Sequence, residues 1–432
     1  VAPAVLNETP LPADAFAGSV GLNENVANTA NPTTAADWPK LISLLHGLGV
    51  RHVRDGILDA DPPYDLAITQ LLAASNAKLD GITDCAGIAL YPGSPTSPAQ
   101  IQAFDAAIGN GLESVEGPNE VDLRADPNWA ADTIACLPSL RSAEPSLPFI
   151  APSISNQLDD APTLGNISAD VSEGNLHRYY SGRNPGTAGW GGRTPCGIYG
   201  ALSWALCESQ INSGTKPVVV TETGYNSVTE VDEVTQAKYL NRALLVDLQA
   251  GVPISYIYAF RDYTGGDAFG NDGLIRTNDS TKPAYTALYY EIAWLTDPGT
   301  PVTPTAFPYS IAGGSTIDHL LFQKRSGQYI LALWNETASW NPATLQEVPV
   351  APQPVTVTLD VPALAVTAVA FNDAGHLANQ PVTTKLNAMT VSINDYVTFL
   401  NFNRVSASPP PTLSPTPVPK FRAPLPPHGE GL

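Results

Sequence analysis

Apolar residues fall in two textures along this chain. From about residue 15 to 296, short apolar runs alternate with stretches whose apolar positions recur at helical spacing. That alternation predicts strands and helices following one another in a parallel sheet. The clearest helix is Trp38–Leu48, with Leu41, Leu44, Leu45 and Leu48 on one face and Gly49 as its stop. Eight strands are predicted around it: Ala17–Asn23, Val50–Arg54, Lys78–Ile82, Gly111–Glu116, Pro148–Pro152, Asn175–Tyr179, Pro217–Glu222 and Ile254–Phe260. Eight such units spell an α/β fold, a (β/α)8 TIM barrel over residues 13–298. Beyond Pro298-Gly299 the helical period disappears. Segments such as Tyr329–Trp334, Val355–Leu359 and Leu364–Phe371 are short, rich in β-branched residues and separated by Gly, Pro and Asn. Residues 299–405 therefore read as a C-terminal antiparallel β-sandwich domain, to which Val1–Pro12 adds a strand. Residues 406–432, with Pro409-Pro410-Pro411 and Pro426-Pro427, cannot bury a core and read as an extended tail or linker.

Composition narrows the class of partner. Charged residues make up 14% of the 432 and the net charge is −20, so the surface repels phosphate backbones and anionic lipid. Nucleic acid is excluded as a partner on that ground. No apolar run approaches the ~20 residues of a membrane span, so membrane insertion is not expected. The chain begins at Val1 without a methionine, and any signal peptide is expected to have been removed already. Four cysteines fall into two local pairs without metal-site spacing, which predicts disulfides Cys85–Cys136 and Cys196–Cys207, an oxidising compartment and a secreted protein; a monomer is expected.

Two carboxylates stand out chemically. Glu120 lies in Glu116-Gly117-Pro118-Asn119-Glu120 and Glu222 in Val218-Val219-Val220-Thr221-Glu222-Thr223-Gly224-Tyr225. Each follows an apolar run and precedes turn residues, so each sits at the C-terminal end of a strand, where a barrel presents its catalytic groups. About three βα units of ~30 residues separate them, which places them on strands 4 and 7. A pair of carboxylates flanking one bond is what glycoside hydrolysis requires. Three successive valines before Glu222 argue a strand buried on both faces, where a charge without a function or a partner is costly.

With these motifs the chain resembles the retaining glycoside hydrolases of clan GH-A, among them families 5, 39 and 79. The resemblance covers residues 15–296 and rests on the two glutamate segments as a pair. It implies Glu120 as acid/base, Glu222 as nucleophile and Asn119 as a ligand of the sugar 2-hydroxyl. It further implies Arg54, at the end of strand 2, as a partner of the nucleophile; Arg51 competes for that role, and alternation along the strand favours Arg54. His177 and Tyr179 match the clan's His-x-Tyr pattern on strand 6, with the tyrosine hydroxyl directed at the nucleophile. Where many members carry a strand-8 tryptophan under the sugar, this chain offers Tyr256, Tyr258, Phe260 and Arg261, of which Tyr258 or Phe260 is expected to be the platform. Trp190, in the long glycine-rich loop Ser181–Cys207, is a candidate for stacking on a sugar, and Trp129 a weaker one. The expected activity is hydrolysis of β-glycosidic bonds in an oligo- or polysaccharide by double displacement, without metal or organic cofactor. A transglycosylase using the same residues and a non-catalytic carbohydrate-binding barrel are the alternatives. Proximity of Glu222 is expected to raise the pKa of Glu120.

Overall fold

Among the described residues Val218–Gly224 is the longest strand buried throughout, with all seven residues out of solvent. β-Branched side chains on both faces suit it to a parallel sheet covered on each side, and each buried valine contributes roughly 1.5–3 kcal/mol. The computed structural model describes residues 3–24, 26, 38–58, 62–85, 97–124, 126–263, 270–300 and 303–405. The Pro-rich segment 406–432 lies outside the described residues.

Eight parallel strands form the central sheet: Val20–Asn23, His52–Gly56, Lys78–Ile82, Leu112–Glu116, Phe149–Ile150, Gly174–Tyr179, Val218–Gly224 and Ser255–Ile257, here β1–β8. Their order is β5-β4-β3-β2-β1-β8-β7-β6. A bridge from Ile150 to Glu173 and the Ala151 N–H donated to the Glu173 carbonyl bring the two ends together, so the sheet is a nearly closed barrel. Helices Trp38–Leu48, Pro62–Ser75, Pro98–Ala107, Trp129–Arg141, Gln157–Leu164, Leu202–Ser213, Glu233–Gln249 and Pro283–Leu295 (α1–α8) surround it. Ile150, Val219 and Tyr256 fill the barrel interior.

Several boundaries moved. The predicted first strand loses its start, because Asp14–Ala17 forms a helical turn that buries Phe16 and Ala17. β5 and β8 shorten to two and three residues. β2 and β7 instead run on past Arg54 and Glu222, to Gly56 and Gly224. The reach of β7 depends on Gly224, where an added Cβ would lie 2.3 Å from the Tyr258 carbonyl oxygen.

The C-terminal segment is a two-sheet sandwich of strands β9–β17: Phe307–Ala312, Ile317–Gln323, Tyr329–Asn335, Gln353–Leu359, Ala363–Phe371, Leu377–Gln380, Val382–Lys385, Ala388–Ile393 and Thr398–Arg404. The N-terminal segment supplies two strands, one more than predicted. Val5–Glu8 pairs with β9 and Leu11–Pro12 with β10, one on the edge of each sheet. The chain thus begins in the sandwich, makes the barrel and returns. Helices α7 and α8 carry the contact between the two. Lys238 meets Asp395 at 3.0 Å with both side chains 5% exposed. Arg242 donates to the Asn335 carbonyl at 2.8 Å, and the Trp294 indole donates to Asn401. The Asp232 carboxylate caps α7 by accepting the Thr235 N–H.

Both disulfides are formed as paired in the sequence. Cys85–Cys136 ties the end of β3 to α4, and Cys196–Cys207 pins the β6–α6 loop to α6. Peptide mapping without reductant is expected to recover both links. Replacing Cys196 and Cys207 with serine should cost ~3 kcal/mol, read by thermal unfolding; recovery of four alkylatable thiols from the native protein would contradict the pairing. Among the described residues no helix is long and apolar enough to cross a membrane.

Candidate active site

Arg54 organises the barrel mouth. It ends the inward-facing side of β2, is 1% exposed, and all five of its N–H groups are engaged. Nε and Nη2 grip the Glu116 carboxylate at 2.6 and 2.8 Å. Nη1 donates to Asn23 at 2.7 Å and to Glu222 at 2.8 Å, and Nη2 also reaches Asn119 at 2.7 Å. A guanidinium is the one side chain with that many donors in a fixed plane. Arg51, the competing candidate, instead clasps Asp14 through two 2.7 Å bonds, away from these groups.

Glu222 receives a second donor, the Tyr179 hydroxyl at 2.8 Å. Burial, then the Glu222 charge, hold the Tyr179 pKa well above the ordinary phenol value, so the hydroxyl keeps its proton. The register of β7 against β6 slips between Val220 and Glu222. That bulge turns the Glu222 side chain inward where strict alternation would not have guaranteed it.

Glu120 follows β4 by four residues. Its backbone is left-handed, φ 43° and ψ 51°, a conformation that costs a non-glycine residue about 1–2 kcal/mol. Ser153, after β5, fixes the turn by accepting the Glu120 N–H at 2.8 Å. One carboxylate oxygen of Glu120 and one of Glu222 lie within 4.8 Å of each other, with His177 between them. His177 Nδ1 is 3.0 Å from Glu120 and 3.4 Å from Glu222.

The electrostatics differ from the expectation for Glu120. Burial pushes its pKa up, but the His177 hydrogen bond and charge, with Arg54 and Arg124, outweigh burial and leave it below the ordinary value. Sequence reasoning counted one carboxylate neighbour and missed the cations. For His177 burial acts downward, and the Glu222 and Glu120 charges overcome it, so its pKa is raised. Burial and the adjacent Glu116 charge raise the Asp80 pKa well above the ordinary carboxyl value, while Arg54 overcomes burial and keeps Glu116 below its usual value.

The remaining candidates separate. A cleft of about 170 Å³ runs from Glu120, His177 and Tyr179 to Trp190 and Tyr199 in the β6–α6 loop. The Trp190 ring already has neighbours: the Arg183 guanidinium lies 4.6 Å from its centroid, and a Cβ on Gly200 would sit 2.4 Å from the ring. Tyr258 follows β8 beside β7, its N–H donated to the Thr223 carbonyl at 2.7 Å, near enough to Tyr179 to bear on its titration. Phe260 is elsewhere. It is 3% exposed and packs toward Trp38, Leu41 and Leu45, so the core holds it and not the sugar site. Tyr256 is fully buried inside the barrel, and Trp129 belongs to the main core.

Glu116, Asn175, Asn23, Asp80 and Ser153 were given no role from the sequence. Asn175 donates to Glu116 and to the Ala151 carbonyl, both at 2.8 Å. Its signal was available, since Asn175, His177 and Tyr179 alternate along one face of β6. Glu116 ends an apolar run just as Glu222 does, and the same cost of a buried charge applied to it.

No protein-family model matches the sequence, and no curated protein matches it. Solved structures do match. A family 39 glycoside hydrolase from the gut symbiont Bacteroides cellulosilyticus WH2 is 17% identical, with a TM-score of 0.60 over 91% of this chain and 81% of that one. An α-L-arabinofuranosidase from Thermotoga maritima is 8% identical, with a TM-score of 0.60 over 93% and 99%. The catalytic domain of a family 30 xylanase C from Talaromyces cellulolyticus is 11% identical, with a TM-score of 0.54 over 93% and 99%. Identities this low speak for architecture, and over barrel and sandwich together the chain shares the fold of these glycoside hydrolases.

Proposed function

We propose that this protein is a secreted, retaining glycoside hydrolase acting on an oligo- or polysaccharide, with Glu222 as nucleophile and Glu120 as acid/base. The observation that carries the reading is the spacing of the two carboxylates. Oxygens within 4.8 Å suit direct attack, for which carboxyl groups ~5–5.5 Å apart are typical, whereas inverting enzymes need ~6.5–9.5 Å to admit a water. The two glutamates also differ in their partners. Glu222 accepts from Arg54 and Tyr179, donors that hold a carboxylate in place for attack. Glu120 is the more exposed, its side chain at 28% against 11% for Glu222, as suits a group that meets a leaving oxygen and then water.

In the first step Glu222 bonds to the anomeric carbon as the glycosidic C–O bond breaks, and Glu120 gives its proton to the departing oxygen. In the second, Glu120 takes a proton from water, whose oxygen displaces Glu222 and restores the original configuration. Arg54 and Ser153 occupy the Asn119 side-chain Oδ1, which leaves the side-chain NH2 for a sugar hydroxyl. Two disulfides support an oxidising, extracellular setting.

The similar solved structures act on different sugars, so the glycone is found by trial. Purified protein is incubated with xylan, arabinan, β-glucan and mannan, and products are sized by mass spectrometry. Release of defined oligosaccharides whose first-formed anomer matches the substrate, followed by NMR, is expected. An inverted first product would refute the double displacement.

A further inference from the structure

An acid that delivers a proton near neutral pH should hold it there, yet the surroundings of Glu120 favour its ionised form. The geometry shows where the proton goes instead. His177 Nδ1 faces two acceptors, Glu120 at 3.0 Å and Glu222 at 3.4 Å. A bare ring nitrogen would set a lone pair against two carboxylates, so Nδ1 carries a hydrogen. The side chain is 2% exposed and lines the cleft beside Glu120.

We propose that in the resting protein the catalytic proton resides in the Glu120–His177 pair, on His177 Nδ1, and crosses to Glu120 when a sugar occupies the mouth. This rests on Glu120 being the acid/base. The charges around His177 come from every side: Glu120 from the loop after β4, Glu116 from β4, Glu222 from β7 and Arg54 from β2. Three carboxylates face one guanidinium, and an imidazolium supplies the second positive charge. Glu120 ionised beside protonated His177, and protonated Glu120 beside neutral His177, hold the same number of protons, so one transfer across a 3.0 Å hydrogen bond interconverts them.

The cycle balances. Nδ1 passes its proton to Glu120 and Glu120 passes it to the leaving oxygen, leaving His177 neutral with its hydrogen on Nε2. Formation of the Glu222 ester removes one of the two carboxylate charges facing Nδ1, so in the intermediate the bare nitrogen meets the Glu120 carboxylate alone, a weaker repulsion than in the resting site. In the second step Glu120 takes the proton of the attacking water. As Glu222 is released as a carboxylate, that proton returns to Nδ1. His177 in this scheme is a positioning residue that also stores the proton; it does not touch the sugar.

The test uses the intact protein labelled with 15N-histidine. Six histidines are present, and His177 is assigned by its absence from His177→Asn, which keeps an N–H donor near Nδ1 without an ionisable ring. In the wild type, His177 is expected to be doubly protonated at pH 7. In Glu222→Gln its titration midpoint should fall by more than ~1 unit, a tenfold change in protonation equilibrium. A wild-type His177 that is neutral between pH 6 and 8 overturns the proposal, as does a midpoint indifferent to Glu222→Gln. Kinetics give an independent arm. In His177→Asn the alkaline limb of kcat/KM should move to lower pH, so activity falls about tenfold at pH 7 per unit moved and far less at pH 5. A loss equal at all pH values would mark His177 as merely structural and sink the idea. The NMR arm needs no substrate, so it decides the proton's position even if the glycosidase reading fails on the polysaccharide panel.

Discussion

Glu222→Gln is expected to abolish turnover of every glycoside while leaving the fold intact. The amide keeps the size of the side chain, and its single oxygen can still accept from Arg54 while its NH2 donates to the Tyr179 hydroxyl, but it cannot form the glycosyl ester. Removing a nucleophile costs roughly 10⁵–10⁶ in kcat in well-studied hydrolases. Azide then separates the two glutamates. With Glu222→Ala and a β-glycoside bearing a good leaving group, azide enters the vacated space, attacks directly and gives the α-azide. With Glu120→Ala the ester still forms on Glu222, and azide displaces it from the other face to give the β-azide. The two products are distinguished by proton NMR. A β-azide from Glu222→Ala and an α-azide from Glu120→Ala would show the roles exchanged.

Arg54→Met should cost the protein both stability and activity, for reasons that can be pulled apart. Five hydrogen bonds converge on this guanidinium, and Glu116 beneath it is 0% exposed. Removing one partner of a buried pair leaves an uncompensated charge, worth about 3–5 kcal/mol. Thermal or guanidinium unfolding should register that loss. Adding Glu116→Gln neutralises the stranded carboxylate and should recover much of the stability. Activity should not return with it, because Glu222 still lacks its donor and Asn119 its anchor. If the double variant regains turnover as well, Arg54 serves only to offset Glu116 and its contact with Glu222 is incidental. Arg54→Lys tests shape: an ammonium carries the charge but cannot reach four acceptors in one plane, so activity should stay far below wild type.

The sequence by itself determined the class of fold and singled out the two glutamates as candidates. Period-two and helical apolar patterns are local properties, set by how side chains project from a strand or a helix, and they survive without any knowledge of neighbours. The turn residues after Val115-Glu116 marked a strand end and the valines before Glu222 a buried strand in the same local way, and the helix Trp38–Leu48 and strand Lys78–Ile82 have the ends that were expected. What only the tertiary structure decided depends on residues far apart in the chain. Phe260 and Tyr258 alternate on paper as equal candidates, but packing against α1 withdraws Phe260 into the core. The bulge in β7 that turns Glu222 inward arises from pairing with β6, and a strand's own sequence does not record its partner's register. The ionisation of Glu120 went the same way. Its nearest sequence neighbours carry no sign of His177, 57 residues on, or of Arg54, 66 residues back. Charge interactions fall off with distance in space and not along the chain, so the proton balance of the site exists only once β2, β4, β6 and β7 have closed around it.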